Sequence, residues 1–123
     1  MIHGQVNPRT EAVIPVIIRD AVAGPLTLDA VIDTGFSGYL TLPVATIVAL
    51  QIPFLSSRVF SLGNNTQANF DIYMAVVFWD GQDRDVKVLA SDALLLIGMS
   101  LLKGFRMTID VVVGGEVRIE PCS

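Results

Sequence analysis

The sequence predicts a mostly β domain with one or two short helices, and three observations carry that expectation. Apolar runs rich in Val, Ile and Leu are short and stop at Gly, Pro, Asn or Asp, as strands do. Leu26, Leu28, Ala30 and Ile32 recur at period two and share one face of an extended segment. Helical spacing is confined to Val44, Ile47 and Val48 and to a brief stretch after Gly98. A chain of 123 residues suits a single domain spanning 1–123, and it is long enough to bury a core without staples.

Taken in order, residues 2–6 and 12–19 read as strands joined by the polar turn Asn7-Pro8-Arg9-Thr10. Val13, Ile14, Val16, Ile17 and Ile18 are too continuously apolar for a sheet with one wet face, so this strand is expected to be covered on both sides. Pro15 within it points to an edge or a bulge. Ala23-Gly24-Pro25 makes a turn, and the alternating strand 26–32 leads into Asp33. Tyr39–Leu42 is a short strand. Pro43 fits the first turn of a helix to about Leu50, with Thr41 or Leu42 as its boundary and Pro53 as its stop.

Ser57–Leu62 and Ala68–Phe78 are strands around Gly63-Asn64-Asn65-Thr66, whose residues tolerate positive φ at a hairpin tip. Met74–Trp79 and Arg84–Ala90 make a further hairpin through Asp80-Gly81-Gln82-Asp83. Ala93–Gly98 reads as an apolar strand and Met99–Lys103 as a short helix stopped by Gly104. Phe105–Asp110 and Val111–Ile119 close the chain as strands with Gly114-Gly115 turning between them.

Composition excludes several classes. Net charge is −4 and the eight Lys and Arg are scattered, which argues against a nucleic-acid partner. One His and one Cys leave little from which to build a zinc site, so no metal and no cofactor are expected. Asp80, Asp83 and Asp85 lack the spacing and the bidentate Glu of a calcium loop and read as a solvated turn. Cys122 reads as a free thiol in a reducing compartment. Residues 34–57 carry no charge, but two prolines, two glycines and Gln51 break them up, so no membrane span is expected. No segment has the form of a secretory signal, and a cytoplasmic protein is the expectation. Apolar residues make up 52% and charged ones 16%, an excess that a buried subunit interface would account for.

The stretch with chemical content is Val31-Ile32-Asp33-Thr34-Gly35-Phe36-Ser37-Gly38. An apolar strand delivers a carboxylate to its end, and two glycines permit the turns that follow. Asp33 either starts an ordinary turn or sits rigidly at the mouth of a cleft, partly desolvated and able to reach a ligand.

Asp33-Thr34-Gly35 followed about sixty residues later by Leu95-Leu96-Ile97-Gly98-Met99 resembles the retropepsin-like aspartic proteases, in particular their single-domain, bacterial-type members. The resemblance runs from about Val13 to Ile119. It implies a closed, homodimeric β-barrel in which Asp33, Thr34 and Gly35 form the active-site loop and the Ile97-Gly98 segment packs behind it. The hairpin around Gly63 and Asn64 takes the place of the flap, with Phe70 or Tyr73 on its inner face, and Phe36, Ser37, Gly63, Asn64 and Ile97 line the substrate site. Phe36 departs from the Ala usual after that glycine, so substrate preference does not carry over.

Peptide hydrolysis by this chemistry requires two carboxylates sharing one proton. The sequence has a single Asp-Thr-Gly; Asp110 is followed by Val111. The second carboxylate is therefore expected from an identical chain across a two-fold axis, with Thr34 bonding across that axis and Ser37 supporting Asp33 or the loop. Ile2, Val6, Val117 and Ile119 would pair either between subunits or within one. The function implied is an aspartic endopeptidase acting on extended peptides. The alternatives are a catalytically silent dimeric peptide-binding or structural module of the same fold, and a monomeric barrel whose Asp33 caps a turn. A Ser-His-Asp hydrolase is a poor fit with only His3 available, and a glycosidase pairing Asp33 with Asp92 or Asp110 has no supporting pattern.

Overall fold

The computed structural model describes residues 1–20, 24–61 and 63–123. They form ten strands and two short helices: β1 Ile2–Val6, β2 Ala12–Asp20, β3 Gly24–Ile32, β4 Leu40–Leu42, α1 Val44–Ala49, β5 Phe54–Ser61, β6 Gln67–Trp79, β7 Gln82–Ala90, β8 Leu96–Ile97, α2 Met99–Leu102, β9 Phe105–Ile109 and β10 Glu116–Pro121. The strands make one sheet in the order β5-β6-β7-β4-β8-β3-β2-β1-β10-β9. A further pairing of β6 with β2 bends the middle of that sheet into a ring, β6-β7-β4-β8-β3-β2. The mostly β architecture with two short helices agrees with the sequence.

The ring follows from two strands, β2 and β6, that each serve three neighbours. β2 pairs with β3 over its whole length, and its opposite edge is divided between β1 (Val6↔Ala12) and β6 (Ile17↔Phe78, Ile18↔Val77). Pro15 falls in the gap between those two pairings, where a missing N–H costs no ladder bond. β6 is a single strand of 13 residues shared by both hairpins. Its return to β7 is tighter than expected: Trp79 pairs with Gln82, and Asp80-Gly81 alone make the turn, with φ of 48° and 86°. Positive φ at both central positions gives the twist that a two-residue hairpin needs, and Asp-Gly supplies it.

Inside the ring Ile14, Val16, Ile18, Leu40, Leu42, Val77, Val86, Val88, Ile97 and Leu101 are fully buried. On β2 only Ile14, Val16 and Ile18 reach this core, whereas Val13 and Ile17 on the other face are half-buried. The expectation of cover on both faces is therefore met on one face and halved on the other.

Several boundaries differ from the sequence reading, each for a local reason. Gly24 and Pro25 open β3 rather than forming a turn, while Ala23 lies outside the described residues, as does Leu62 at the hairpin. β5 starts at Phe54, with an irregularity between Phe54 and Ser56. Pro43 itself, extended at φ −62° and ψ 147°, is the boundary of α1, and Asp92 Oδ1 accepts the Val44 N–H at 3.0 Å. The strand expected from Ala93 shrinks to Leu96–Ile97, because the buried Thr41 hydroxyl donates to Leu94 O at 2.6 Å and accepts from Leu96 N at 2.8 Å. Val111–Gly115 is a loop, not a strand: Val112 N bonds Asp110 O and Gly115 N bonds Val112 O, which folds the chain back before Glu116. The termini pair within the chain, Ile2↔Ile119 and Gly4↔Val117, which is the within-subunit alternative of the two.

Ile18 sits at the seam of the ring with none of its surface exposed. Ile18→Ala should lower the free energy of unfolding by about 2–5 kcal/mol in a denaturant titration, the range for a buried aliphatic truncation.

Candidate active site

β3 reaches the site alongside β8 in parallel register, Val31↔Leu96 and Ile32↔Ile97. Val31 N donates to Leu95 O and Asp33 N to Ile97 O, both at 2.9 Å, so Asp33 is the last residue held by the ladder. The chain then turns. Asp33 Oδ1 accepts the Gly35 N–H at 2.9 Å and Asp33 O accepts the Phe36 N–H at 3.1 Å. The two readings of Asp33 are thus compatible: one carboxylate oxygen fixes the turn, while Oδ2 makes no hydrogen bond among the described residues. Asp33 is half-buried, and Thr34 and Gly35 are exposed.

The loop 36–39 rests on the entry to α2 through backbone contacts. Gly98 N donates to Tyr39 O (3.0 Å), Met99 N to Phe36 O (2.8 Å) and Ser100 N to Gly38 O (3.1 Å). The Ser100 hydroxyl donates to Ser37 O at 2.6 Å. So close a seat demands glycine: a Cβ at Gly98 would stand 2.2 Å from Gly38 O and 2.7 Å from Phe36 O. Tyr39 then leads into β4, where Leu40 faces Ile97. Asp33 is therefore positioned from below by β8 and from the side by α2.

A cavity of about 470 Å³ opens between this loop and the β5–β6 hairpin. Gly35, Phe36 and Ser37 border it on the loop side, Arg58, Phe70 and Ile72 on the hairpin side, and Lys87 and Leu89 on β7. Phe70, rather than Tyr73, faces the space; Tyr73 stacks edge-on against Phe54, with ring centroids 5.6 Å apart. A larger hollow of about 700 Å³ beside β1, β2 and β3 has Asp29 as its single ionisable group, so the smaller cavity is the better candidate.

Not every residue singled out from the sequence sits at this cavity. Phe36 and Ser37 do. Ile97 does not: it is fully buried in the ring, and it contributes the carbonyl that fixes Asp33 N. Asn64 lies exposed at the hairpin tip with φ 63°, and Gly63 begins the same turn; the wall of the cavity comes instead from Arg58 and Phe70 lower on the hairpin. Ser37 engages through its carbonyl, not through a bond to Asp33. Sequence reasoning missed Ser100, Arg58 and Lys87. The helical register after Gly98 carried a signal for Ser100, and the strand pairing on which Arg58 and Lys87 depend carried none.

Among the described residues no group of three or more His, Cys, Asp or Glu is arranged to hold a metal ion, and no helix is long and apolar enough to cross a membrane. No protein-family model matches the sequence, and no curated protein shows significant similarity to it.

Gly98→Ala should cost at least about 1–3 kcal/mol in denaturant unfolding, since its Cβ meets rigid backbone. Ser100→Ala should cost only about 0.5–1.5 kcal/mol, the worth of one hydrogen bond. Equal effects from the two variants would refute the close approach as the controlling contact.

Proposed function

We propose that the chain is one subunit of a homodimeric, retropepsin-like aspartic endopeptidase that cleaves extended peptides. The observation that supports this reading is the Asp33-Thr34-Gly35 turn, pinned by Ile97 O and the Gly98 segment, whose Gly35 borders a cavity that faces a β-hairpin. The ring of strands corresponds on this reading to the family's barrel. In the proposed reaction the ionised Asp33 of one subunit takes a proton from water as its oxygen attacks the scissile carbonyl. The protonated Asp33 of the other subunit gives its proton to the carbonyl oxygen. Collapse of the tetrahedral species then passes a proton to the departing amine. Two like carboxylates side by side cannot both ionise readily, which keeps the pair singly protonated.

The surface beside the turn supports a second copy as the partner. Thr34 shares a shallow hollow with Met107, Ile109 and Val111. Next to it Val111, Val112 and Val113 are 67%, 63% and 64% exposed. The loop that carries them is tied down, Gly114 N to Val6 O at 2.8 Å and Asp110 N to Glu116 O at 2.9 Å. Three successive exposed valines on a fixed loop are a feature of an interaction face. That face adjoins the residue required to meet its own copy.

Two measurements test the reading. Peptide-library cleavage across the acid-to-neutral range should give a bell-shaped rate profile, because the pair is inactive with no proton and with two. Asp33→Asn, still folded, should lose on the order of 10²–10⁴-fold or more in rate. A folded dimer that cuts nothing anywhere in that range would instead favour the silent peptide-binding module.

The second measurement is solution mass. Val112→Asp changes an exposed side chain and should leave monomer stability within about 0.5 kcal/mol. It should nonetheless convert a wild-type dimer to monomer and abolish cleavage. Persistence of the dimer in this variant would show that the valine loop is not the interface.

A further inference from the structure

We infer that the cavity between loop 36–39 and the β5–β6 hairpin selects peptides in which an apolar residue has acidic ones two positions to either side. The inference deepens the proposed function by naming a substrate class, and rests on that reading only for the word substrate. The interior of the cavity is apolar: Phe36, Leu40, Phe70, Ile72, Val88 and Leu89 line it. Its two ionisable groups of fixed charge at neutral pH are both cations, Arg58 on β5 and Lys87 on β7.

Strand register sets where these cations stand. Arg58 lies opposite Phe70, Leu89 opposite Ile72, and Lys87 opposite Met74. Phe70, Ile72 and Met74 are spaced two apart on β6 and so share one face of the sheet. Arg58 and Lys87 therefore flank the apolar patch around Ile72 diagonally, roughly 13 Å apart along the strand direction. An extended peptide lying across this face puts one side chain over the apolar patch and the side chains two positions before and after it within reach of the cations.

Both cations are free to act on a ligand. The three ion pairs among the described residues are Met1 with Asp80, His3 with Glu116 and Arg19 with Asp83; neither Arg58 nor Lys87 takes part. Both are exposed. The chain as a whole carries −4, so a cleft holding two unpaired positive charges stands out against an acidic surface. The other hollows near the turn hold Asp29 and Glu11 instead. Rim charges of this kind discriminate between partners and steer them more than they add raw affinity. The acidic remainder of the surface disfavours a nucleic acid as the ligand.

The test uses fluorescent octapeptides with a central Leu, identical except for Glu, Gln or Lys at the positions two before and two after it. Binding is read by anisotropy on Asp33→Asn and cleavage on the wild type. At low salt the Glu peptide should bind roughly three- to tenfold more tightly than the Gln peptide, with the Lys peptide weakest. That preference should fall below about twofold in Arg58→Gln/Lys87→Gln, reverse in Arg58→Glu/Lys87→Glu, and shrink in high salt. Melting curves on the variants exclude misfolding as the cause. Indifference to flanking charge, a preference that survives in the double Gln variant, or displacement of the Glu peptide by a single-stranded oligonucleotide overturns the inference. Binding with the predicted charge order but no cleavage overturns the protease reading alone. Cleavage without charge preference overturns this inference alone.

Discussion

The site depends on one close backbone approach. Gly98 lies against the carbonyls of Phe36 and Gly38, and from that contact follow the bonds from Gly98, Met99 and Ser100 to Tyr39, Phe36 and Gly38. Removing a side chain at Gly98 lets two loops satisfy each other's polar groups without water between them. The parallel ladder of β3 and β8 carries the same constraint upstream, ending at Asp33 N and Ile97 O. Asp33 consequently needs no ion pair to hold its place. Its backbone is fixed at both ends and its Oδ1 is committed to the turn, which leaves the other oxygen available.

Much of this was legible in the sequence, and the rest was hidden for identifiable reasons. The pair of motifs, Asp33-Thr34-Gly35 and Leu96-Ile97-Gly98, was visible because each combines a β-forming run with a residue that only a tight turn or a close contact requires. The hairpins were visible because Asn64, Asn65 and the Asp80-Gly81 pair tolerate positive φ, which the structure shows at all four positions. Hidden were features set by partners far along the chain. Nothing local to Thr41 reveals that its hydroxyl replaces strand pairing at residues 94–96. Nothing local to Val111–Val113 separates a strand from an exposed loop, since three valines have strong β propensity whichever is true. Ile97 was assigned to substrate because it adjoins the motif, but period two along β8 turns its side chain inward.

The internal pairing of the termini narrows how two copies could meet. β1 and β10 satisfy each other along Ile2–Gln5, and β10 also satisfies β9, so these strands have no need of a neighbour from another chain. The strands at the ends of the sheet are β5 and β9, and the proposed dimer has the Asp33 loop and the exposed valine loop beside it as its contact face. Assembly, and with it any activity of a shared dyad, becomes sensitive to protein concentration.

The long strand β6 links the ring to the hairpin beside the cavity, and its pairings show where the hairpin has no third strand to support it. From Ile72 to Trp79, β6 is held by β7, and at Val77 and Phe78 by β2 as well. From Gln67 to Asp71 it is paired with β5 alone. A two-stranded ribbon is marginal by itself, whereas three paired strands with a buried face are not. The division falls at Ile72, which is buried, with Phe70 one step beyond it on the same face and at the wall of the cavity. A lid hinged at that point would swing Arg58 and Phe70 together and leave Lys87, Val88 and the Asp33 turn where they are. On the proposed reading, closure over a peptide would change only one wall of the cleft, and the cation on β7 would give a fixed reference against which the moving wall aligns the chain.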